Sequence, residues 1–215
     1  MKVLVLGNSG ILLREERGIE IDQFDIIVRT NQFKIAGYER YVGTRTDIAC
    51  VISSKVGGRQ IKDGQTQENL GAAKALWCSR PERVSTSGIR SISRKFPELA
   101  RNPVYPDPQL FENLRDHYLL FSGKRLHPGT GTVAIRMAMD IFPNDDIYIA
   151  GFSQWAGGYY WDQDKKIKSR HAKQVDTDLI EAWLRAGKIH MFGNYHNIAV
   201  SGPRGESWAQ KVPII

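Results

Sequence analysis

The amino-acid sequence predicts an α/β protein: a single Rossmann-like domain built on a doubly wound, mostly parallel sheet. Three observations carry this. An apolar run at residues 2–6 is followed at once by a glycine turn, Gly7-Asn8-Ser9-Gly10. A glycine- and threonine-rich loop, His127 to Thr132, leads into a helix, then a strand, then a second glycine turn at Gly151. Polar loops stand at three predicted strand ends, 7–10, 29–32 and 151–153, and in a doubly wound sheet that is the edge where ligands bind.

Taken in order, residues 2–6 carry no charge after Lys2, as suits a strand buried on both faces. The glycines of the turn that follows let the backbone come close to a phosphate or a nucleoside. Asp25 to Arg29 reads as the second strand, with Thr30, Asn31 and Gln32 at its carboxyl end. Asp47 to Ile52 reads as the third. The polar stretch 53–70 is expected to be loop, and 71–79 a short helix. Arg83 to Thr86 is a weaker strand candidate.

From Pro97 to Pro108 four prolines argue for a surface connection. Gln109 to Leu120 places Leu110, Leu114 and Tyr118 on one face of a helix. Val133 to Ile141 is the next helix, with Thr132 as its expected cap. Asn144 and Asp145 then turn into the strand 147–150. Residues 153–171 read as a flap: an aromatic and glycine patch containing Trp155, Tyr159, Tyr160 and Trp161, then a basic stretch. Asp176 to Ala186 is a helix stopped by Gly187, and Ile189 to Phe192 is the last strand. There is no internal repeat and no sign of a second domain.

Composition narrows the function. The 215 residues are 41% apolar and 25% charged, as in an ordinary globular protein. The opening apolar run is far too short for a signal sequence or a membrane span, and the sequence reads as that of a soluble protein. The formal charge of +7 would draw an anionic partner. With no long basic run, zinc-finger spacing or basic helical stripe, nucleic acid is not the expected one. Cys50 and Cys78 provide no disulfide framework or metal cluster and read as small buried hydrophobes.

Among the histidines, His171 borders the aromatic flap and suits proton abstraction near neutrality. His127, just before the Gly/Thr loop, would contact an anion, assist the base or simply cap the loop. His117, His190 and His196 are weaker candidates. Asp162 and Asp164 have the spacing of a divalent-metal pair but fall in the flap, so no metal site is expected. There is no Gly-x-Ser-x-Gly elbow, no Walker loop and no full dinucleotide fingerprint, which argues against hydrolase, P-loop and hydride chemistry.

The motifs also carry a family resemblance. Gly7-Asn8-Ser9-Gly10, Ile21-Asp22 through Arg29-Thr30-Asn31, and Val42-Gly43-Thr44-Arg45-Thr46-Asp47 resemble the large sialyl motif of eukaryotic-type sialyltransferases. His127-Pro128-Gly129-Thr130-Gly131, running to Tyr148-Ile149-Ala150-Gly151-Phe152, resembles the small sialyl motif. Tyr160-Trp161-Asp162, His171-Ala172-Lys173, Asp176 and Lys188-Ile189 are similar to the Campylobacter-type bacterial enzymes. The matches run in order over most of residues 3–192.

The resemblance implies a GT-A-like sialyltransferase variant, a single glycosyltransferase domain over residues 1–215. Asn8 and Asn31 would bind the CMP part of a donor, with Ser9 and Gly10 near its phosphate. Thr130 and Gly131 would lie against the nucleotide, and Gly151 and Phe152 belong to the same binding set. Tyr159 or Tyr160 would steady the departing phosphate, and His171 would be the general base. Transfer would be direct and inverting, with no cofactor and no metal. The donor would be CMP-sialic acid or another CMP-activated acidic sugar such as Kdo. An oligosaccharide or glycolipid would be the acceptor, met in the cytoplasm or peripherally at the inner face of a bacterial membrane. The alternatives are an inactive relative that binds CMP-sugar or glycan, and another nucleotide-binding α/β protein. This chain departs from the eukaryotic pattern in reading Pro-Gly-Thr-Gly where Pro-Ser-Thr-Gly is usual. It also has Lys173 and Gln174 after His171, where the eukaryotic late motif ends in glutamate.

Overall fold

The computed structural model describes residues 1–52, 69–81, 89–90, 92–124, 126–152, 158–162 and 173–194. Its strands are β1 (Lys2–Leu6), β2 (Ile26–Thr30), β3 (Ile48–Val51), β4 (Ala75–Cys78), β5 (Asp146–Ala150) and β6 (His190–Met191). They form one six-stranded sheet in the order β4-β3-β2-β1-β5-β6, and every pairing is parallel. The helices are the short α1 (Gly18–Ile21) and α2 (Glu39–Val42), then α3 (Pro108–Ser122), α4 (Thr130–Ile141) and α5 (Lys173–Arg185). A 3₁₀ turn follows β1 at Gly10–Arg14. Among the described residues no helix is long and apolar enough to cross a membrane.

The alternation of side chains along each strand sorts the core into two layers. Val3 and Val5 of β1, with Val28, Cys50 and Trp77 of the neighbouring strands, face α3, α4 and α5. There they meet Phe111, Leu114, Val133, Met137, Leu179 and Trp183. Leu4 and Leu6 point the other way, onto Ile11, Leu12, Ile21, Phe24 and Val42. Ala49, Val51 and Leu76 continue that second face against Phe33, Leu70 and Ile92. Parallel strands covered on both faces must be apolar throughout, which is why β1 reads as an uninterrupted run.

Two sequence expectations change here. Residues 71–79 are not a helix: only Asn69–Gly71 is helical, and Ala75–Cys78 is strand β4 at the sheet edge. Lys74 and Ala75 favour a helix locally, but Leu76, Trp77 and Cys78 are buried and paired with β3 in register, and tertiary packing overrides propensity. The helix expected from Val133 begins three residues earlier, so Thr132 lies inside α4 and Gly129 is its N-cap. The strand candidate 83–86 lies outside the described residues.

The chain runs outward from β1 through β2 and β3 to β4, then returns through α3 and α4 to place β5 on the other side of β1. The carboxyl ends of β1 and β5 therefore flank the point where the winding direction reverses, the usual ligand crevice of such sheets. α5 closes the helical layer, with Trp183 fully buried. Trp183→Ala is expected to lower stability by about 3–5 kcal/mol. Urea unfolding of the two proteins measures the loss, and an unchanged midpoint would contradict this packing of α5.

Candidate nucleotide site

At the switch point the loops after β1 and β5 meet backbone to backbone. Gly7 N–H donates to Ala150 O at 2.8 Å and Ser9 N–H to Gly151 O at 3.0 Å. A Cβ on Gly7 would overlap the Gly151 carbonyl, and Gly151 itself has φ +74°, so both positions need glycine. This corrects one expectation. The turn at 7–10 is not an open cradle of N–H groups, because two of its donors are used to hold the loops together. The Ser9 hydroxyl is also engaged, accepting from Ile11 N–H at 3.3 Å as the cap of the 3₁₀ turn that Gly10 opens.

Asn8 and Asn31 are brought together across β1 and β2. Asn8 Nδ2 donates to Thr30 O at 2.6 Å. Asn31 adopts φ 53°, a left-handed conformation that asparagine tolerates. Its N–H donates to Cys50 O at 2.8 Å, and its Oδ1 accepts from Ile52 N–H at 3.2 Å. The carboxyl ends of β1, β2 and β3 are thus stitched by two asparagine amides.

The 127–132 loop supplies the other wall. Thr130 is buried with its hydroxyl 3.3 Å from Ser79 Oγ. Gly131 packs on Phe152, and a Cβ there would overlap the ring at Cε1. His127 is exposed, its ring stacked 6.5 Å from Phe111.

Four residues that the sequence reading did not assign to the site shape this wall. Asp176, in the first turn of α5, accepts from Gly129 N–H at 3.1 Å and from the hydroxyls of Tyr118 and Thr132. Arg80 donates from Nη1 to Ser79 O at 2.8 Å and to Pro128 O at 3.3 Å, and its guanidinium lies over Phe111. Burial draws the Arg80 pKa down to about 10, which still leaves it charged near neutrality. Burial first, and then the Asp176 charge, pushes the Tyr118 phenol up, so it stays a donor. Ser79 and Arg80 follow β4, and would have been legible as a strand-end loop had 75–78 been read as a strand. Asp176 gave the signal of an acidic residue opening a helix and stood among the residues of the family resemblance, neither of which assigned it a role.

The described part of the expected flap, 158–162, docks on the first loop. Tyr160 N–H donates to Asn8 O at 3.1 Å, and Tyr159 forms a bridge pairing with Ser9. The two tyrosines then diverge. Tyr160 is turned inward, its hydroxyl donating to Lys34 O and accepting from Lys34 N–H at 2.9 Å. Burial raises its pKa to about 12. That phenol is committed to the Lys34 backbone, so a phosphate-steadying role does not fit it. Tyr159 stacks on Trp161 beside Ser9. His171, the expected base, and the rest of 153–171 lie outside the described residues.

The Val42–Asp47 stretch serves the framework. Asp22 accepts from the N–H groups of Thr44 and Arg45, and Asp47 accepts from Ile27 N–H at 3.0 Å and pairs with Lys74 and Arg45. Arg29, fully buried, donates to Val42 O and Arg45 O. His117 is a core residue tilted against Phe121, and His190 is exposed on β6 beside Tyr148. His196 and Asp164 lie outside the described residues.

Comparison with known proteins gives the family and agrees with the fold. The profile of glycosyltransferase family 29 (sialyltransferase) matches residues 2–188. The chain belongs to that family. It is 27% identical over 165 residues to the type 2 lactosamine alpha-2,3-sialyltransferase of Mus musculus, covering 70% of this chain and 50% of that protein. It is 23% identical over 200 residues to the Rattus norvegicus CMP-N-acetylneuraminate-beta-galactosamide-alpha-2,3-sialyltransferase 2, covering 87% and 55%. The chain thus spans about half the length of these relatives. Among solved structures, a mammalian sialyltransferase shares the fold with a TM-score of 0.61 at 19% identity, covering 89% of this chain and 68% of that one. A mutant of the alpha-2,3/8-sialyltransferase CstII gives 0.51 at 16%, covering 89% and 80%.

Gly131→Ala is expected to cost about 1–3 kcal/mol by driving a methyl into Phe152. Phe152→Leu in the same chain should recover part of that loss in urea unfolding. Equal costs with and without Phe152→Leu would show that the two do not meet.

Proposed function

We propose that this chain is a metal-independent, inverting transferase that moves sialic acid, or a related acidic sugar, from a CMP donor to a glycan hydroxyl. The observation that carries the reading is the pair of asparagines at the carboxyl ends of β1 and β2, beside the point where the winding reverses, in a chain of the sialyltransferase family. Asn8 Nδ2 and Asn31 Oδ1 are spent on backbone, which leaves Asn8 Oδ1 as an acceptor and Asn31 Nδ2 as a donor. A nucleoside offers partners for both. The first N–H groups of α4 suit the donor phosphate.

In this reading the acceptor hydroxyl attacks the anomeric carbon of the donor as the bond to CMP breaks. His171 takes the hydroxyl proton, and CMP departs with the electron pair. Hydrogen bonds on the phosphate disperse the leaving-group charge in place of a cation. Tyr159, beside Ser9, is the better placed of the two tyrosines to share in that. The acceptor is read as a galactose-terminated oligosaccharide or glycolipid. This is motivated by the mammalian sialyltransferase structure in complex with Gal-beta-1-3GalNAc-ortho-nitrophenol. A net charge of +7 suits peripheral contact with an anionic, cytoplasm-facing membrane surface.

The test is release of CMP from CMP-sialic acid with and without galactosides, in the presence of EDTA. Acceptor-stimulated release that survives EDTA is expected. Loss of release in EDTA with recovery on adding manganese would overturn the metal-free step, and no release from CMP-sialic acid or CMP-Kdo would overturn the transferase reading. His171→Ala should lower transfer about 10²–10⁴-fold with CMP affinity retained; full turnover would remove it as the base. Asn31→Asp keeps the left-handed backbone and the Oδ1 acceptor but loses the donor. It should weaken CMP binding about tenfold or more by calorimetry, and an unchanged dissociation constant would refute the Asn31 contact.

A further inference from the structure

The two charged side chains behind the 127–132 loop act on one and the same peptide bond. Arg80 Nη1 donates to the carbonyl of Pro128 at 3.3 Å, and Asp176 Oδ1 accepts from the N–H of Gly129 at 3.1 Å. That carbonyl and that N–H are the two ends of the Pro128–Gly129 peptide. The cation sits at the negative end of its dipole and the anion at the positive end, so both charges favour the same orientation. Turning the peptide over would lose both bonds and set each charge against a like partial charge. Gly129 is also the N-cap of α4 and has no side chain to cap it, so this peptide sets the direction in which the helix starts.

The clamp is anchored from three sides. Arg80 is buried at the end of β4 and stacked on Phe111 of α3. Asp176 comes from α5 and is held by Tyr118 of α3 and Thr132 of α4. The carboxylate stands close against the Gly129 α-carbon, since a Cβ there would lie 3.0 Å from Oδ1. All three donors converge on Oδ1, so the interaction requires one acceptor oxygen in one place.

We propose that Arg80 and Asp176 are positioning residues for nucleotide binding, fixing the Pro128–Gly129 peptide so that the first turn of α4 presents its N–H groups to the phosphate of the donor. The proposal rests on the reading of this loop as the CMP site. Neither residue need touch the nucleotide: each acts through the peptide. Donor binding is therefore the property they govern, and acceptor binding is not.

The test titrates CMP into the unaltered chain, Asp176→Ala, Asp176→Asn, Arg80→Met and the Arg80→Met/Asp176→Ala pair, with near-ultraviolet circular dichroism as the check of folding. Asp176→Ala and Arg80→Met should each weaken CMP about 10- to 100-fold, as a small misplacement of a binding element does. In turnover they should raise the donor KM and leave the acceptor KM in place. Asp176→Asn keeps the acceptor oxygen but loses the charge, so it should bind CMP more weakly than the unaltered chain and more tightly than Asp176→Ala. The double variant should bind no more weakly than the poorer single one, because both act on one peptide. A folded Asp176→Ala or Arg80→Met chain with unchanged CMP affinity overturns the clamp, as does Asp176→Asn binding as weakly as Asp176→Ala. Either single variant can be read alone if the other does not fold. Failure of the unaltered chain to bind CMP would overturn the functional reading itself, and with it the proposal. That result is distinct from a clamp that fails in a chain that binds.

Discussion

The site depends first on the close approach of two loop backbones, Gly7 after β1 and Gly151 after β5. β1 and β5 are neighbours in space but lie on opposite sides of the point where the winding reverses, so their loops would ordinarily diverge. Hydrogen bonds from Gly7 to Ala150 and from Ser9 to Gly151 hold them together, and glycine at both positions removes the side chains that would keep them apart. Asn8 is thereby held over the end of β2, Tyr159 and Tyr160 can dock on the first loop, and Phe152 is brought against Gly131. With an alanine at either position the edge would have to open.

The second constraint is electrostatic. Two buried or half-buried charges, Arg80 and Asp176, flank the small-motif loop without forming a direct pair in the bonds described. Charges in such surroundings are costly unless polar groups answer them. Among the described residues the answering groups include the Pro128–Gly129 peptide and the Thr132 hydroxyl of the loop itself, so the stability of the charges and the shape of the loop are coupled. Arg29 shows a related arrangement on the other face, where a fully buried guanidinium gives Nε and Nη2 to the carbonyls of Arg45 and Val42 while its Nη1 is buried without a hydrogen-bond partner among the described residues. Its role is to hold the turn before β3, and the large-motif residues 42–47 belong to that framework.

Much of this was legible in the residues. The uninterrupted apolar β1, the glycine turns at 7 and 151 and the Gly/Thr loop entering a helix gave the sheet type and the edge that carries the candidate site. Along that edge Asn8 binds the Thr30 carbonyl next to Asn31, and Gly131 packs on Phe152. What escaped has physical causes. Ala75–Cys78 is an edge strand only because its partner β3 is there, and no local pattern encodes that. The missed strand concealed Ser79 and Arg80. Asp176 works through tertiary hydrogen bonds to residues 44 to 58 positions away, which periodicity does not report. Tyr159 and Tyr160 are adjacent in sequence but oppositely employed, and only the contact with Lys34 separates them.

The most direct test of the central claim is amide hydrogen exchange of the whole chain with and without saturating CMP. The account predicts slowed exchange at residues 7–10, 30–32 and 127–132, the strand ends and helix start that form the crevice. Binding of CMP with no protection there would contradict it. So would protection confined to the opposite edge, around the 340 Å³ cavity lined by Arg136, Phe142 and Lys188.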